Sequence, residues 1–155
     1  MKVLVTILFI SLTVLTTSCK KDDDNNSRQN GNASFTAEIN GVDYEAEFVD
    51  GFIVAFGANI SISGSEANGN NVVVNFPIDA SAGDTFTVDG LEFVGSYDSS
   101  NGDATVSSQG SITITEHNPE ERTVSGTFSF VSEPFGNGTS YNITNGSFNS
   151  SYDEL

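Results

Sequence analysis

The feature that most constrains this chain is an alternation of apolar and polar residues that begins at residue 34 and recurs almost to the C-terminus. Phe35, Ala37 and Ile39 alternate with polar neighbours, and Asn40-Gly41 then supplies a pair that tolerates the positive φ angles of a hairpin turn. The period of two returns at intervals of roughly eight to twelve residues between turn residues, which is typical of all-β proteins. The pattern therefore predicts β-strands along this whole part of the chain.

We predict an all-β fold with about nine or ten short antiparallel strands packed as a single β-sandwich, because each predicted strand has one apolar and one polar face. A closed up-and-down β-barrel of the lipocalin type satisfies the same pattern and is the alternative. Tyr44, Ala46 and Phe48 fall on the apolar side of one predicted strand. The next predicted strand runs from residue 52 to residue 63, with Gly57 as a bulge.

Residues 1–18 follow a different pattern. Lys2 precedes a mostly apolar run from Val3 to Leu15, which is too short to cross about 30 Å of hydrocarbon as a helix and is typical of a secretory signal. The run ends in small residues directly before Cys19, the only cysteine in the chain. This arrangement resembles a bacterial lipoprotein signal. The resemblance implies that residues 1–18 are removed and that the Cys19 thiol is lipidated.

Residues 19–32 are predicted to form a lipidated, flexible tether to an all-β domain over residues 33–155. No residue from 20 to 32 is apolar, so this stretch buries too little surface to offset the entropy of ordering it. The run Lys20-Lys21-Asp22-Asp23-Asp24 resembles the export tag of Bacteroidota surface lipoproteins, which implies a position on the outer membrane, facing outwards. The alternatives are that the acidic run only solvates the linker and that the domain faces the periplasm.

Charge limits the partners of the domain. The chain carries a formal net charge of −16, and residues 33–155 contain eighteen acids and a single base, Arg122. Such a surface repels other polyanions, so we expect no nucleic-acid partner. Contact with the membrane is expected through the lipid on Cys19.

Four segments in which polar residues and glycine are interspersed with apolar residues carry a family resemblance: Phe35–Gly41, Gly110–Thr115, Val124–Phe130 and Ile143–Phe148. Together they resemble an uncharacterised family of Bacteroidota lipoproteins. The resemblance implies an exported all-β domain and brings no assigned activity. We interpret the phenylalanines of these segments as core residues, and Gly126 and Gly146 as bends or bulges.

The sequence predicts no catalytic residue, and we expect a protein that is not an enzyme. The one histidine, His117, lies beside Asn118-Pro119 in a predicted hairpin turn, where solvent reaches the imidazole and nothing fixes its orientation. Two carboxylates suffice for glycoside hydrolysis, so a carboxylate-dependent hydrolase is an alternative. Asp43, Glu45 and Glu47, however, fall on the polar face of a predicted strand.

Calcium is the cation that the acidic loops favour, although we predict no metal ligand and no cofactor. The loop from Asp98 to Asp103 brings the oxygens of Asp98, Asn101 and Asp103 near Gly102, without the spacing of an EF-hand. A calcium-dependent adhesion module is therefore the second alternative function.

The predicted function is that of a lipid-anchored outer-membrane or cell-surface lipoprotein, a non-enzymatic binding domain or structural accessory. Its expected partners are the membrane and an extracellular glycan or protein ligand. Tyrosine rings stack on the apolar faces of sugars, and Tyr97 and Tyr152 border loops where such contacts are accessible. Tyr44 and Tyr141 fall at inward strand positions and are predicted to belong to the core.

Overall fold

The computed structural model describes residues 32–55, 58–89 and 91–154. In these ranges it contains eleven strands: β1 (Ser34–Ile39), β2 (Val42–Glu45), β3 (Phe48–Val54), β4 (Asn59–Ser65), β5 (Asn71–Pro77), β6 (Thr85–Thr87), β7 (Val94–Asp98), β8 (Ala104–Asn118), β9 (Thr123–Pro134), β10 (Tyr141–Ser151) and β11 (Asp153–Glu154). None of the described segments is a helix with the length and apolar character that crossing a membrane requires.

The strands form one sheet in the order β11-β3-β4-β5-β7-β8-β9-β10-β1-β2, and β6 pairs with β8 beside this path. The pairs are antiparallel except that β11 runs parallel to β3. The all-β prediction is confirmed, with one parallel pair and with one or two strands more than predicted in the described ranges. The path ends at β11 and β2, so the sheet is open and the closed barrel is not formed.

The open sheet folds over on itself as the two layers of a sandwich do. Phe35 of β1 packs on Gly64 of β4, where a Cβ atom would lie 2.5 Å from the ring. Ala46 N–H donates to the carbonyl of Phe35 and Glu47 N–H to that of Ser65, at 2.9 Å each. The link between β2 and β3 therefore crosses from one half of the sheet to the other.

One core lies between the two halves. Its fully buried apolar members are Phe35, Ile60, Ile62, Val72, Val74, Phe76, Phe93, Ile112, Ile114, Val124 and Ile143. Phenylalanine rings cover glycines on neighbouring strands: Gly146 lies opposite Phe128, and Gly126 opposite Phe148. A Cβ atom at these glycines would lie 2.4 and 2.7 Å from the facing ring. Gly146 also ends a bulge in β10, as predicted, whereas Gly126 is needed chiefly because the ring occupies the space of a side chain.

Two strand predictions are wrong. The predicted strand that carries Tyr44, Ala46 and Phe48 is interrupted, because β2 ends at Glu45 and β3 begins at Phe48. The interruption reverses which alternate residues face the core, so that Phe48 is 57% exposed. The predicted strand over residues 52–63 is in fact part of β3 and part of β4, because the chain turns back between Val54 and Asn59. Gly57, the predicted bulge, lies outside the described residues.

Different features lie at the two ends of the strands, measured along β10. Ser34 pairs with Asn149, close to the β8–β9 turn, and we name this the near end. The loops over residues 98–103 and 135–140 lie at the opposite end of β10, since Tyr141 next to the second of them donates to Asp103 in the first. We name them the distal loops. Along β10, Asn149 and Tyr141 are about 25 Å apart at the usual rise per residue.

Candidate functional site

Cys19 and residues 20–31 lie outside the described residues, so the lipidation site and most of the tether stay predictions. The described part of the predicted all-β domain begins at the near end with residues 33 and 34.

The loop from Asp98 to Asp103 is held by its own hydrogen bonds and by its neighbours. Ser99 N–H donates to the carbonyl of Asp103 at 2.8 Å, and Ser100 N–H donates to Asn70 Oδ1 at 2.9 Å. The Tyr141 phenol donates to Asp103 Oδ2 at 2.7 Å, and this bond raises the pKa of the tyrosine above its ordinary value. A cation at Asp103 would have to compete with that phenol. No group of three or more potential metal-ligating histidine, cysteine, aspartate or glutamate side chains occurs in the described part of the chain.

The prediction that His117 lies in a hairpin turn is wrong. His117 lies in β8, where its side chain is half-buried and both ring nitrogens are hydrogen-bonded. Nδ1 lies 2.7 Å from the carbonyl of Ala80, and Nε2 lies 2.8 Å from the phenol of Tyr152. Because a carbonyl only accepts, Nδ1 carries a proton, and in the neutral imidazole Nε2 accepts from Tyr152. Burial raises the pKa of Tyr152, so the phenol keeps its proton to higher pH. The imidazole therefore ties the C-terminal segment to the loop between β5 and β6.

Three carboxylates gather in an open groove of about 320 Å³ on the outer side of β1 and β2. Glu38 lies directly opposite Asp43 in the strand register, and Glu45 is two residues further along β2. Asp43 and Glu45 are exposed, so solvent reaches both carboxylates, whereas acid–base hydrolysis benefits from excluding it. The groove therefore contains the carboxylates that a hydrolase needs, but it does not exclude water from them.

The outer side of β3, β4, β5 and β7 carries a regular array that we name the Ser/Asn face. Alternate residues of these strands enter the core, so the residues between them face solvent. The register places them in three rows across the four strands. The rows are Phe48, Ser65, Asn71 and Asp98; then Asp50, Ser63, Val73 and Ser96; then Phe52, Ser61, Asn75 and Val94.

Polar side chains of the Ser/Asn face are oriented by bonds among themselves. The hydroxyls of Ser63 and Ser65 both donate to Asn71 Oδ1, at 2.8 and 3.0 Å, and Asn75 Nδ2 donates to the carbonyl of Val94 at 3.3 Å. Each serine oxygen keeps lone pairs that can accept, and the amide of Asn71 keeps hydrogens that can donate. The face therefore offers both donors and acceptors in fixed positions.

Two phenylalanine rings stand at the β3 side of the Ser/Asn face. Phe48 is 57% exposed and Phe52 is 38% exposed, although phenylalanine is among the most often buried residue types. They lie four residues apart on the same side of one strand, which corresponds to about 13 Å. Sequence reasoning placed Phe48 in the core and did not single out Phe52 as a contact residue.

The tyrosines predicted to contact sugars do not lie on this surface. Tyr97 is 5% exposed and Tyr152 is 3% exposed, so both rings are core residues. Tyr44 is buried as predicted, and Tyr141 is half-buried against the Tyr97 ring, with centroids 4.7 Å apart. Exposed aromatic surface is supplied by phenylalanine instead.

A second row of small hydroxyl residues crosses the other half of the sheet and can be compared with the Ser/Asn face. Thr85, Thr113, Thr127, Ser147 and Thr36 are paired in succession from β6 to β1. Thr85 and Thr113 share a hydrogen bond of 2.8 Å, and Thr36 and Ser147 share one of 3.0 Å. This row, which we name the Thr row, has similar polar chemistry and no aromatic ring.

Comparison with known proteins gives a family for almost the whole described region. The family model described as Domain of unknown function (DUF6252) matches residues 31–150. No curated protein and no solved structure matches the chain. The match extends from the residues before β1 nearly to the end of β10, so the Ser/Asn face falls within it, and of the sheet and core only the end of β10, Tyr152 and β11 follow it. The chain therefore belongs to the family described as Domain of unknown function (DUF6252).

Proposed function

We propose that this protein is a lipid-anchored, non-enzymatic binding domain of a bacterial outer membrane. The observation that carries the proposal is the position of Ser34 at the near end, with the distal loops at the other end of the sheet. A chain tethered through Cys19 enters the domain at the near end. The distal loops and the sides of the sheet then stay accessible to a partner.

The sequence before the domain supports the anchor. The apolar run of residues 3–15 ends before Cys19, and residues 20–32 contain no apolar side chain that would pack on the sheet. Acyl chains contribute about 0.8 kcal/mol for each buried methylene, and more than one chain makes attachment stable without a spanning helix. The acidic run at residues 22–24 favours display on the cell exterior over a position facing the periplasm.

Three features support a binding role rather than catalysis. Both nitrogens of His117 are engaged in bonds that hold the C-terminal segment. The carboxylates of Asp43 and Glu45 are open to solvent. The Ser/Asn face, in contrast, combines oriented polar groups with exposed rings, which is a composition suited to holding a ligand.

The anchor is tested by detergent phase partition of the native protein in the bacterium that makes it. The protein is expected in the detergent phase, and the Cys19→Ser variant in the aqueous phase. Digestion of intact cells with a protease then reports exposure on the cell exterior. A native protein that stays in the aqueous phase, or that keeps residues 1–18, contradicts the anchor; protection in intact cells with digestion after permeabilisation supports the side facing the periplasm.

A further inference from the structure

We infer that the Ser/Asn face binds an uncharged polysaccharide that runs along β3 and contacts the neighbouring rows of the face. The inference rests on the proposed binding role and is independent of the lipid anchor. It is carried by three properties of the face that coincide there: little charge, oriented hydroxyl and amide groups, and two exposed rings.

The negative charge of the domain argues against an anionic ligand. Residues 33–155 hold eighteen acids against one base, yet the three rows of the Ser/Asn face include only Asp50 and Asp98, and Asp153 of β11 lies beside Phe52 at the edge. The surrounding field repels anionic polymers, so sulfated or uronic-acid chains are disfavoured. The same field disfavours a second copy of the chain on this face, since each copy carries a net charge of −16.

Hydrogen bonding decides what the ligand carries. The oxygens of Ser63 and Ser65 can accept and the amide of Asn71 can donate, which matches the hydroxyl groups of a sugar, because these both donate and accept. Ser63 and Ser65 are already oriented by Asn71, so little side-chain entropy is lost when a ligand binds. An apolar partner would leave these groups without the bonds they make to water.

The spacing of the two exposed rings indicates how many sugar units the ligand needs. Phe48 and Phe52 present apolar surface that can stack on the apolar faces of sugar rings. Their separation of about 13 Å along β3 exceeds the size of one sugar ring, so a chain of several units is needed to cover both. A polysaccharide is therefore favoured over a monosaccharide.

The test is affinity electrophoresis of the full chain, kept in a detergent without a sugar headgroup. Gels contain dextran, mannan, galactan or a mixed-linkage β-glucan as neutral probes, or polygalacturonate as the anionic probe. At least one neutral polysaccharide is expected to retard the protein, and polygalacturonate is not. The double variant Phe48→Ala, Phe52→Ala is expected to bind at least about tenfold more weakly, because it removes both apolar surfaces that stack on the sugar rings.

Two further variants separate the proposed site from general stickiness. Ser61→Ala with Ser63→Ala removes hydroxyls of the face without touching a ring and is expected to weaken retardation as well. Thr127→Ala with Ser147→Ala changes the Thr row and is expected to leave retardation unchanged. Each altered side chain is exposed or half-exposed, so all of these variants are expected to fold. Melting curves check this.

Several results overturn the inference. They are retardation by no neutral polysaccharide, equal retardation by polygalacturonate, and full binding by the double phenylalanine variant. Light scattering that shows a dimer abolished in that variant assigns the face to a second copy instead. The Cys19→Ser chain is expected to bind the polysaccharide like the parent, so failure of the anchor and failure of this site are distinguishable.

Discussion

Tyr44 contributes to the junction between the two halves of the sheet. Its ring is 3% exposed and meets the ring of Phe35 edge to face, with centroids 6.4 Å apart. Its phenol donates to the carbonyl of Gly64 on β4, a strand that is not a neighbour of β2 in the sheet. Burial raises the pKa of Tyr44 above its ordinary value of 10.0, and the nearby carboxylate of Glu66 raises it further. The folded protein therefore favours the protonated phenol.

The pKa of Tyr44 predicts a loss of stability at alkaline pH. The folded-state pKa is raised, so the stabilisation is present in full below the unfolded pKa of about 10 and is lost as pH rises above it. The free energy of unfolding in urea is expected to fall above pH 10, by about 1.4 kcal/mol per pH unit for each tyrosine held protonated. Tyr44→Phe is expected to cost about 1 kcal/mol at pH 7 and to make the alkaline fall shallower.

The parent and Tyr44→Phe chains are compared by urea unfolding from pH 8 to pH 11.5. A slope remains in the variant, because the pKa values of Tyr97, Tyr141 and Tyr152 are also raised. Parallel curves for the two chains would mean that the Tyr44 phenol is not held protonated by the fold.

Strand periodicity predicts most of the elements and fails where the chain changes layer. The hairpin at Asn40-Gly41 is present, with φ angles of 52° and 78°. The break at residues 46 and 47 is set by backbone bonds to Phe35 and Ser65, which are distant partners that periodicity does not reveal. One local signal was available: Asp50 shares its side of the strand with Phe48 and Phe52, and a carboxylate is rarely buried without a partner.

The Ser/Asn face could be predicted only in part, for the same reason. Alternation in β4 and β5 indicates that serine and asparagine face solvent, and the structure confirms this. Which strands stand side by side, and that Phe48 joins their outer face, depends on the sheet order. His117 was misplaced because β8 continues to Asn118 with hydrogen bonds to β9, past the point where the sequence suggests a turn.

The pairing of β1 with β2 carries a repulsion that a substitution can remove. Glu38 and Asp43 lie directly opposite each other, and like charges in that position destabilise a sheet. Asp43→Asn is therefore expected to raise the free energy of unfolding by about 0.2–1 kcal/mol, with a smaller gain at high salt. Urea unfolding at low and high sodium chloride measures both.

Glu133→Gln is the matched control for this pair, since Glu133 is exposed and lies opposite Val106. It removes one negative charge without removing a facing carboxylate. An equal gain in both variants would assign the effect to net charge and would contradict the pairwise repulsion.

Across the domain, most acidic residues lie in the loops, the turns and the groove on β1 and β2, while the Ser/Asn face carries Asp50 and Asp98 and the Thr row has no acid. With eighteen acids and one base in residues 33–155, mutual repulsion opposes the compact state. Arg122 and Glu154 form an ion pair of 2.9 Å, but both side chains are substantially exposed, so this pair contributes little. The apolar core must offset the repulsion.

Ionic strength is therefore expected to stabilise the protein without selecting calcium. Raising sodium chloride from low to physiological concentration and above should raise the melting temperature, by about 3 °C for each kcal/mol of repulsion screened. Magnesium and calcium chloride at equal concentration should act alike, because Asp103 already accepts the Tyr141 phenol. A saturable rise with calcium alone, lost in the Asp98→Asn, Asp103→Asn variant, would instead support the calcium-dependent adhesion module, since a ligand that binds only the folded state stabilises it by mass action.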